Sequence, residues 1–198
     1  MSGTRRLFLA VLVSAIAALP VNAQEAVNSI AISAHGGLIN SPGDFDADRT
    51  VSYGSGVRFG GGLTLQLYER VSIRGEASFT FGSGTDMTGG ISEDVTLDRQ
   101  FYGGGVEILL ATGGNAEPYV YGGGGLIVVD RVGETANSYA YDVTEFTGVI
   151  GAGVRYLFSS NTFVFVDGTG WIYNNPVLDD GQFATSLSVG FGYRWGGN

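Results

Sequence analysis

His35 is the only histidine in the chain, and Ser33 stands two positions before it. A hydroxyl and an imidazole are the raw material of an activated nucleophile, but only where the fold holds them within hydrogen-bond reach, commonly with a carboxylate behind the imidazole. No spacing in the sequence brings a serine or a carboxylate to His35, so it reads as a hydrogen-bonded interior histidine and no catalytic residue is assigned. The run Asp44, Asp46, Asp48 is a second candidate. It opens like an EF-hand loop, yet Arg49 occupies the place of the turn glycine and Ser55 that of the bidentate glutamate. Solvated loop charge is the expectation; weak binding of a hard divalent cation stays open, and no metal ligand is assigned. The glycine runs Gly103 to Gly105 and Gly122 to Gly125 lack the following helix of a phosphate-binding loop. They suit close packing or bending of strands, and no cofactor is expected.

The residue types that are missing narrow the chemistry further. Cysteine is absent, which removes disulfides and thiolate metal sites, and all ten basic residues are arginine, which removes the phosphate-loop lysine and Schiff-base chemistry. A net charge of −9 makes nucleic acid a poor partner, because phosphate binding needs a basic face.

The elements available to position any site are strands. A chain of 198 residues with 44% hydrophobic residues, 15% charged and 34 glycines is too apolar for disorder and too glycine-rich for helices. Residues 1–23 differ from the rest: Arg5 and Arg6 precede an apolar run from Leu7 to Leu19, then Pro20 and Val21, Asn22, Ala23. That order is a secretory signal peptide, and its thirteen-residue run, at ~1.5 Å per residue, is too short for a bilayer core roughly 30 Å thick. Cleavage after Ala23 leaves 24–198 as one domain and takes the charge from −9 to −11, since only Arg5 and Arg6 are lost.

Within 24–198, Val57, Phe59, Gly61, Leu63, Leu65 and Leu67 alternate with Arg58, Gly60, Gly62, Thr64 and Gln66. Val71, Ile73, Ala77, Phe79 and Phe81 repeat the alternation against Ser72, Arg74, Glu76, Ser78 and Thr80, and Phe183 to Trp195 does so again. Weaker versions run over 29–38, 97–110, 118–129, 145–157 and 162–173, giving eight segments of about the ten residues a tilted strand needs to cross a bilayer. In the fifth segment the register stays open, although Tyr119 and Tyr121 pointing outward would suit an interfacial aromatic girdle. Short turns at 68–70, 111–117 and 158–161 alternate with long polar loops at 40–52, 82–96, 130–144 and 174–182. A soluble barrel or sandwich also alternates, but it fills both faces with large side chains; here the second face carries glycine, serine and isolated charges, the pattern of a narrow polar lumen. The fold class is therefore all-β, an eight-stranded antiparallel up-and-down transmembrane β-barrel, with short turns and termini periplasmic and the long loops outside.

The final strand reads SVGFGYRW from Ser188 to Trp195, with aromatics at Tyr193 and Trp195. It resembles the C-terminal signal by which outer-membrane barrels are recognised for assembly, departing only in Gly196, Gly197 and Asn198 beyond the last aromatic. The whole of 24–198 resembles the small outer-membrane β-barrels of OmpA type, OmpX type and the opacity-like surface proteins, without a peptidoglycan-binding domain after the barrel. The resemblance implies an outer-membrane location in a Gram-negative cell. Its implied partners are lipopolysaccharide and phospholipid around the wall, the assembly machinery at Ser188 to Trp195, and host or surface ligands at the loops.

Charges in the strands must then point inward, since arginine near the bilayer midplane costs ~2–4 kcal/mol. Arg74, Glu107, Arg155 and Asp167 lie at similar heights above the short turns, with Glu76 slightly higher and Arg58 nearer the middle, so a mixed-charge layer should plug the lumen. A non-enzymatic surface or structural role follows. A lipid A-modifying enzyme and a narrow porin-like channel are the alternatives: the first needs His35 beside a serine and a carboxylate at the bilayer edge, the second a continuous lumen.

Overall fold

A computed structural model describes residues 29–40, 44–46, 49–88, 91–133, 141–175 and 180–196. The segment 1–23, expected as a signal peptide, and Asp48 of the acidic run lie outside the described residues. Ten strands follow in order: β1 (Ser29–Asn40), β2 (Asp44–Asp46), β3 (Arg49–Tyr53), β4 (Ser55–Gln66), β5 (Val71–Thr88), β6 (Ile91–Leu109), β7 (Ala116–Gly133), β8 (Tyr141–Leu157), β9 (Thr162–Asn175) and β10 (Asp180–Gly196). Eight of them, β1 and β4 to β10, pair antiparallel with their neighbours, and β10 returns to β1 to close the barrel. Closure leaves no sheet edge within the wall, the condition for strands to cross hydrocarbon. The described residues contain no helix long and apolar enough to cross a membrane.

Three connections are tight, at the end of the barrel that carries both described chain ends. Tyr68 N–H donates to the Val71 carbonyl at 3.1 Å, and Gly113 takes the left-handed φ of 87° that its turn requires. In the third turn, Asn161 Nδ2 donates to the Arg194 carbonyl at 2.9 Å while Arg194 N–H donates to the Asn161 carbonyl at 2.6 Å, tying the last strand to its neighbour's turn.

At the far end the described parts of the segments expected as long loops are strand. β5 to β8 run 17 to 19 residues, and the β5–β6 ladder continues to Thr88↔Ile91 through what the alternation left as the loop 82–96. Both faces of these extensions are polar in places, so hydrophobic period does not mark them, yet backbone pairing continues beyond the lipid without it. The β2–β3 hairpin adds to β5 above the start of β4. The opposite wall stops lower: β8 pairs with β9 only up to Thr147↔Tyr173.

Outward residues form an apolar band. Ile150, Leu187, Val189, Phe191 and Ile172 are exposed on it, and aromatics mark both borders: Tyr193 with Trp195 and Tyr156 with Phe158 near the short turns, Phe79 with Tyr102 toward the far end. On β6 the outward positions pass from Val106 and Tyr102 to Gln100 and Asp98, so the crossing part of that strand ends at Tyr102. Tyr119 and Tyr121 are not in this girdle. Only 2% and 8% exposed, they point inward, because the β6–β7 register places them on the face that carries Glu107.

Glycine makes room for rings in an interior only eight strands wide. Tyr119 opposes Gly153, Tyr121 opposes Gly151, Phe163 opposes Gly192 and Phe165 opposes Gly190. In each case a methyl added to the glycine would overlap the ring. The two glycine runs also face one another, Gly103 to Gly105 against Gly125 to Gly123, and a Cβ at Gly105 or Gly123 would collide with the opposite backbone.

Candidate functional site

The charged residues expected at one height converge inside the barrel, all at most 8% exposed. Arg74 on β5 is the hub: its Nη2 lies 3.1 Å from Asp167 Oδ2 on β9 and 3.2 Å from Glu76 Oε2, and its Nη1 lies 3.7 Å from Glu107 Oε2 on β6. Arg155 Nη2 on β8 reaches Glu107 Oε1 at 2.9 Å. Arg58 on β4 holds Glu76 and donates to the hydroxyls of Ser186 and Ser188 at 3.1 and 3.2 Å. Rings separate and support these ions: Arg74 stands 4.3 Å over Tyr121, Arg58 4.5 Å over Trp171, and Arg155 lies between Tyr119 and Phe163 at 5.2 and 5.0 Å. Cations over aromatic faces gain from the ring quadrupole, the more so out of water.

Two members escaped the sequence reading. Glu117 accepts from Arg155 Nη1 at 3.3 Å and Arg194 Nη2 at 2.7 Å, extending the layer toward the short-turn end. In sequence Glu117 ends the short turn 111–117 and Arg194 belongs to the last strand, and both keep the inward parity of Tyr119 and Gly192. The layer therefore holds four arginines (Arg58, Arg74, Arg155, Arg194) against four carboxylates (Glu76, Glu107, Glu117, Asp167).

His35 faces inward as expected, 6% exposed, with its ring edge-on to Phe165. Its surroundings correct the expectation. A carboxylate does lie near it, Glu76 Oε1 at 4.0 Å from Nε2, because Gly60 between β1 and β5 leaves the two side chains in reach; yet Nε2 makes no hydrogen bond. The register sets the buried Ser78 across Gly60 from it, but among the described residues no serine hydroxyl is bonded to Nε2, and the ring sits in the lumen rather than at the bilayer edge. Among the described residues no group of three or more His, Cys, Asp or Glu could hold a metal ion.

Above the ions the lumen is largely apolar, where the alternation implied a polar interior, although Arg99, Thr80 and Thr147 are buried there too. Leu97, Phe101, Ile127, Val129, Val149 and Trp171 are all at most 7% exposed and pack together there. The far strands fold over a core of their own, as a soluble barrel does, because side chains there meet one another rather than water. Between ions and core, the space bounded by Arg74, Glu76, Phe101 and Tyr121 measures about 10 Å³, room for at most one water.

A family model described as outer membrane protein beta-barrel domain matches residues 8–194. The chain belongs to that family. This outer-membrane barrel is similar in fold to OprG of Pseudomonas aeruginosa at TM-score 0.56 and 13% identity, over 87% of this chain and 98% of that one. Neisserial surface protein A follows at 0.54 and 12%, covering 85% and 97%. The attachment invasion locus protein Ail of Yersinia pestis, solved in complex with the heparin analogue sucrose octasulfate, aligns at 0.53 and 12%, covering 84% and 98%. A search of curated proteins finds no match.

Proposed function

We propose that this outer-membrane barrel is a non-enzymatic surface protein, exported by a cleaved segment 1–23, with its lumen closed to ions and its raised far end outside the cell. The observation that carries this reading is the double closure of the lumen: four arginines matched by four carboxylates, capped by an apolar core. A paired layer gives a hydrated ion no chain of sites, and the largely apolar layer above it offers few ligands. Arg58 and Arg74 hold Glu76, the carboxylate nearest His35, and Nε2 makes no hydrogen bond, which argues against a lipid A-modifying centre there.

The work of such a protein falls to the far end. The segments 40–55, 82–99, 130–145 and 174–182 contain thirteen acidic residues and three arginines. A sulfated polyanion of the kind bound in the Ail structure would be repelled there, so neutral or cationic ligands fit this chain. Planar-bilayer recording of the purified barrel tests the closed lumen. Conductance at baseline is expected, and large steady single-channel currents would overturn the reading in favour of a channel.

A further inference from the structure

His35 occupies a slot that glycine leaves open. Its register partners are Gly60 on β4 and Gly190 on β10, and beyond these stand the buried Ser78 and the ring of Phe165, edge-on to the imidazole at 6.4 Å. A Cβ at Gly60 would lie 2.6 Å from Nε2, so β4 could carry no side chain there without moving the ring. The charged groups that face it are Arg58 on β4, Arg74 and Glu76 on β5, and Asp167 on β9; β10 opposes it with Gly190 alone. One oxygen links this imidazole to the far-end core. Glu76 Oε1 is held by Arg58 Nη2 and lies 4.0 Å from His35 Nε2, while Oε2 faces Arg74 at 3.2 Å. Among the described residues Glu76 is the one carboxylate that Arg58 pairs with, and its other bonds go to the hydroxyls of Ser186 and Ser188. The same guanidinium stands 4.5 Å over Trp171, which packs in the core with Leu97, Phe101 and Tyr173.

We propose that His35 is a proton switch: when its ring takes up a proton from solvent, Nε2 donates to Glu76 Oε1 in competition with Arg58, and the loosened guanidinium shifts over Trp171 and alters the packing of the far-end core. Histidine is the side chain whose ordinary titration falls in the physiological range. A protonated ring carries N–H on both nitrogens, so Nε2 becomes a donor whichever tautomer preceded it. Nε2 makes no hydrogen bond, so none has to break first. Closing 4.0 Å to the ~2.8 Å of a charge-assisted bond asks for about 1 Å of side-chain movement. Four arginines balance four carboxylates in the layer, and the proton adds a fifth cation beside the oxygen that Arg58 holds. Arg74 keeps Oε2 in both states, so Glu76 stays in place and Arg58 is the partner exchanged. A buried cation that loses its carboxylate is strongly destabilised where it stands, which drives Arg58 to move.

The switch rests on neither the closed lumen nor the surface role, and it is read without conductance. His35 is the one histidine, so its ring signals in proton NMR are unique, and Trp171 and Trp195 are the two tryptophans, so Trp195→Phe leaves emission to Trp171 alone. In the purified Trp195→Phe barrel in lipid nanodiscs, Trp171 emission should shift reversibly with pH, at the midpoint found for the His35 ring in the same sample. His35→Gln should abolish the shift. Glu76→Gln should leave His35 titrating while Trp171 no longer follows it. Where a substitution prevents folding, the wild type carries the same test: with isotope-labelled arginine, the Arg58 Nε signal should move at the His35 midpoint. An imidazole that stays neutral throughout the pH range in which the barrel is folded overturns the proposal. So does Trp171 emission that is constant through the His35 midpoint, or a shift that His35→Gln retains.

Discussion

Arg155 Nη2 lies 2.9 Å from Glu107 Oε1 although 48 residues and the whole of β7 separate them. Glu107 is completely buried, and this is its shortest ion contact; Arg74 stands farther away at 3.7 Å. Removing one partner of a buried pair leaves the other charge uncompensated at a cost of ~3–5 kcal/mol, whereas removing both cancels much of that cost. Arg155→Ala should therefore lower the urea midpoint of the folded barrel more than Arg155→Ala combined with Glu107→Ala. A double variant as unstable as the single one would show that the two residues do not act as a pair.

The facing glycine runs distinguish positions one residue apart. A methyl at Gly123 points into the lumen and against the β6 backbone, while one at Gly122 points to lipid and comes no nearer than 3.9 Å to the Val149 carbonyl oxygen. Overpacking of this kind costs ~1–3 kcal/mol, so Gly123→Ala should lower the unfolding midpoint accordingly. Gly122→Ala should stay within about 0.5 kcal/mol of the parent. Urea titrations of both variants in one lipid composition make the comparison.

Trp195 closes the barrel as well as ending the strand that resembles an assembly signal. It pairs with Ile30 and packs edge-on to Tyr193 at 4.8 Å between ring centres. A chain lacking residues 195–198 should insert far less efficiently than one lacking 196–198, scored by the heat-modifiable gel shift after expression. Equal insertion of the two truncations would remove Trp195 from the signal.

Asp98 supplies a pH dependence with a defined sign. Partial burial first, and Asp130 opposite it second, hold its carboxyl above the usual carboxylate range. A folded value above the unfolded one means that ionisation costs stability: the cost is absent below the unfolded value of about 3.9 and fully present above the folded one. Asp98→Asn should consequently raise the urea midpoint at pH 7 in lipids without an amine headgroup. That gain should shrink to nothing as the pH falls through the window toward about 3.9. A gain that is constant with pH would assign the effect to packing rather than charge.

Alternation along 56–67, 71–81 and 183–195 determined by itself that this chain is a barrel wall, because a side-chain period of two repeated eight times has few other solutions. It also determined which charges point inward, since Arg58, Arg74, Glu76, Glu107, Arg155 and Asp167 could not face lipid. Three things waited for the tertiary structure. Tyr119 and Tyr121 lie in a glycine-rich run whose two faces look alike in sequence, and only their register against Glu107 and Gly151 turns them into the lumen. The described parts of 82–96 and 130–144 are strand because backbone hydrogen bonding propagates past the membrane, where no hydrophobic contrast records it. Which arginine meets which carboxylate, and that Glu117 and Arg194 join them, depends on the stagger of closed strands: residues dozens of positions apart become neighbours only when β10 meets β1.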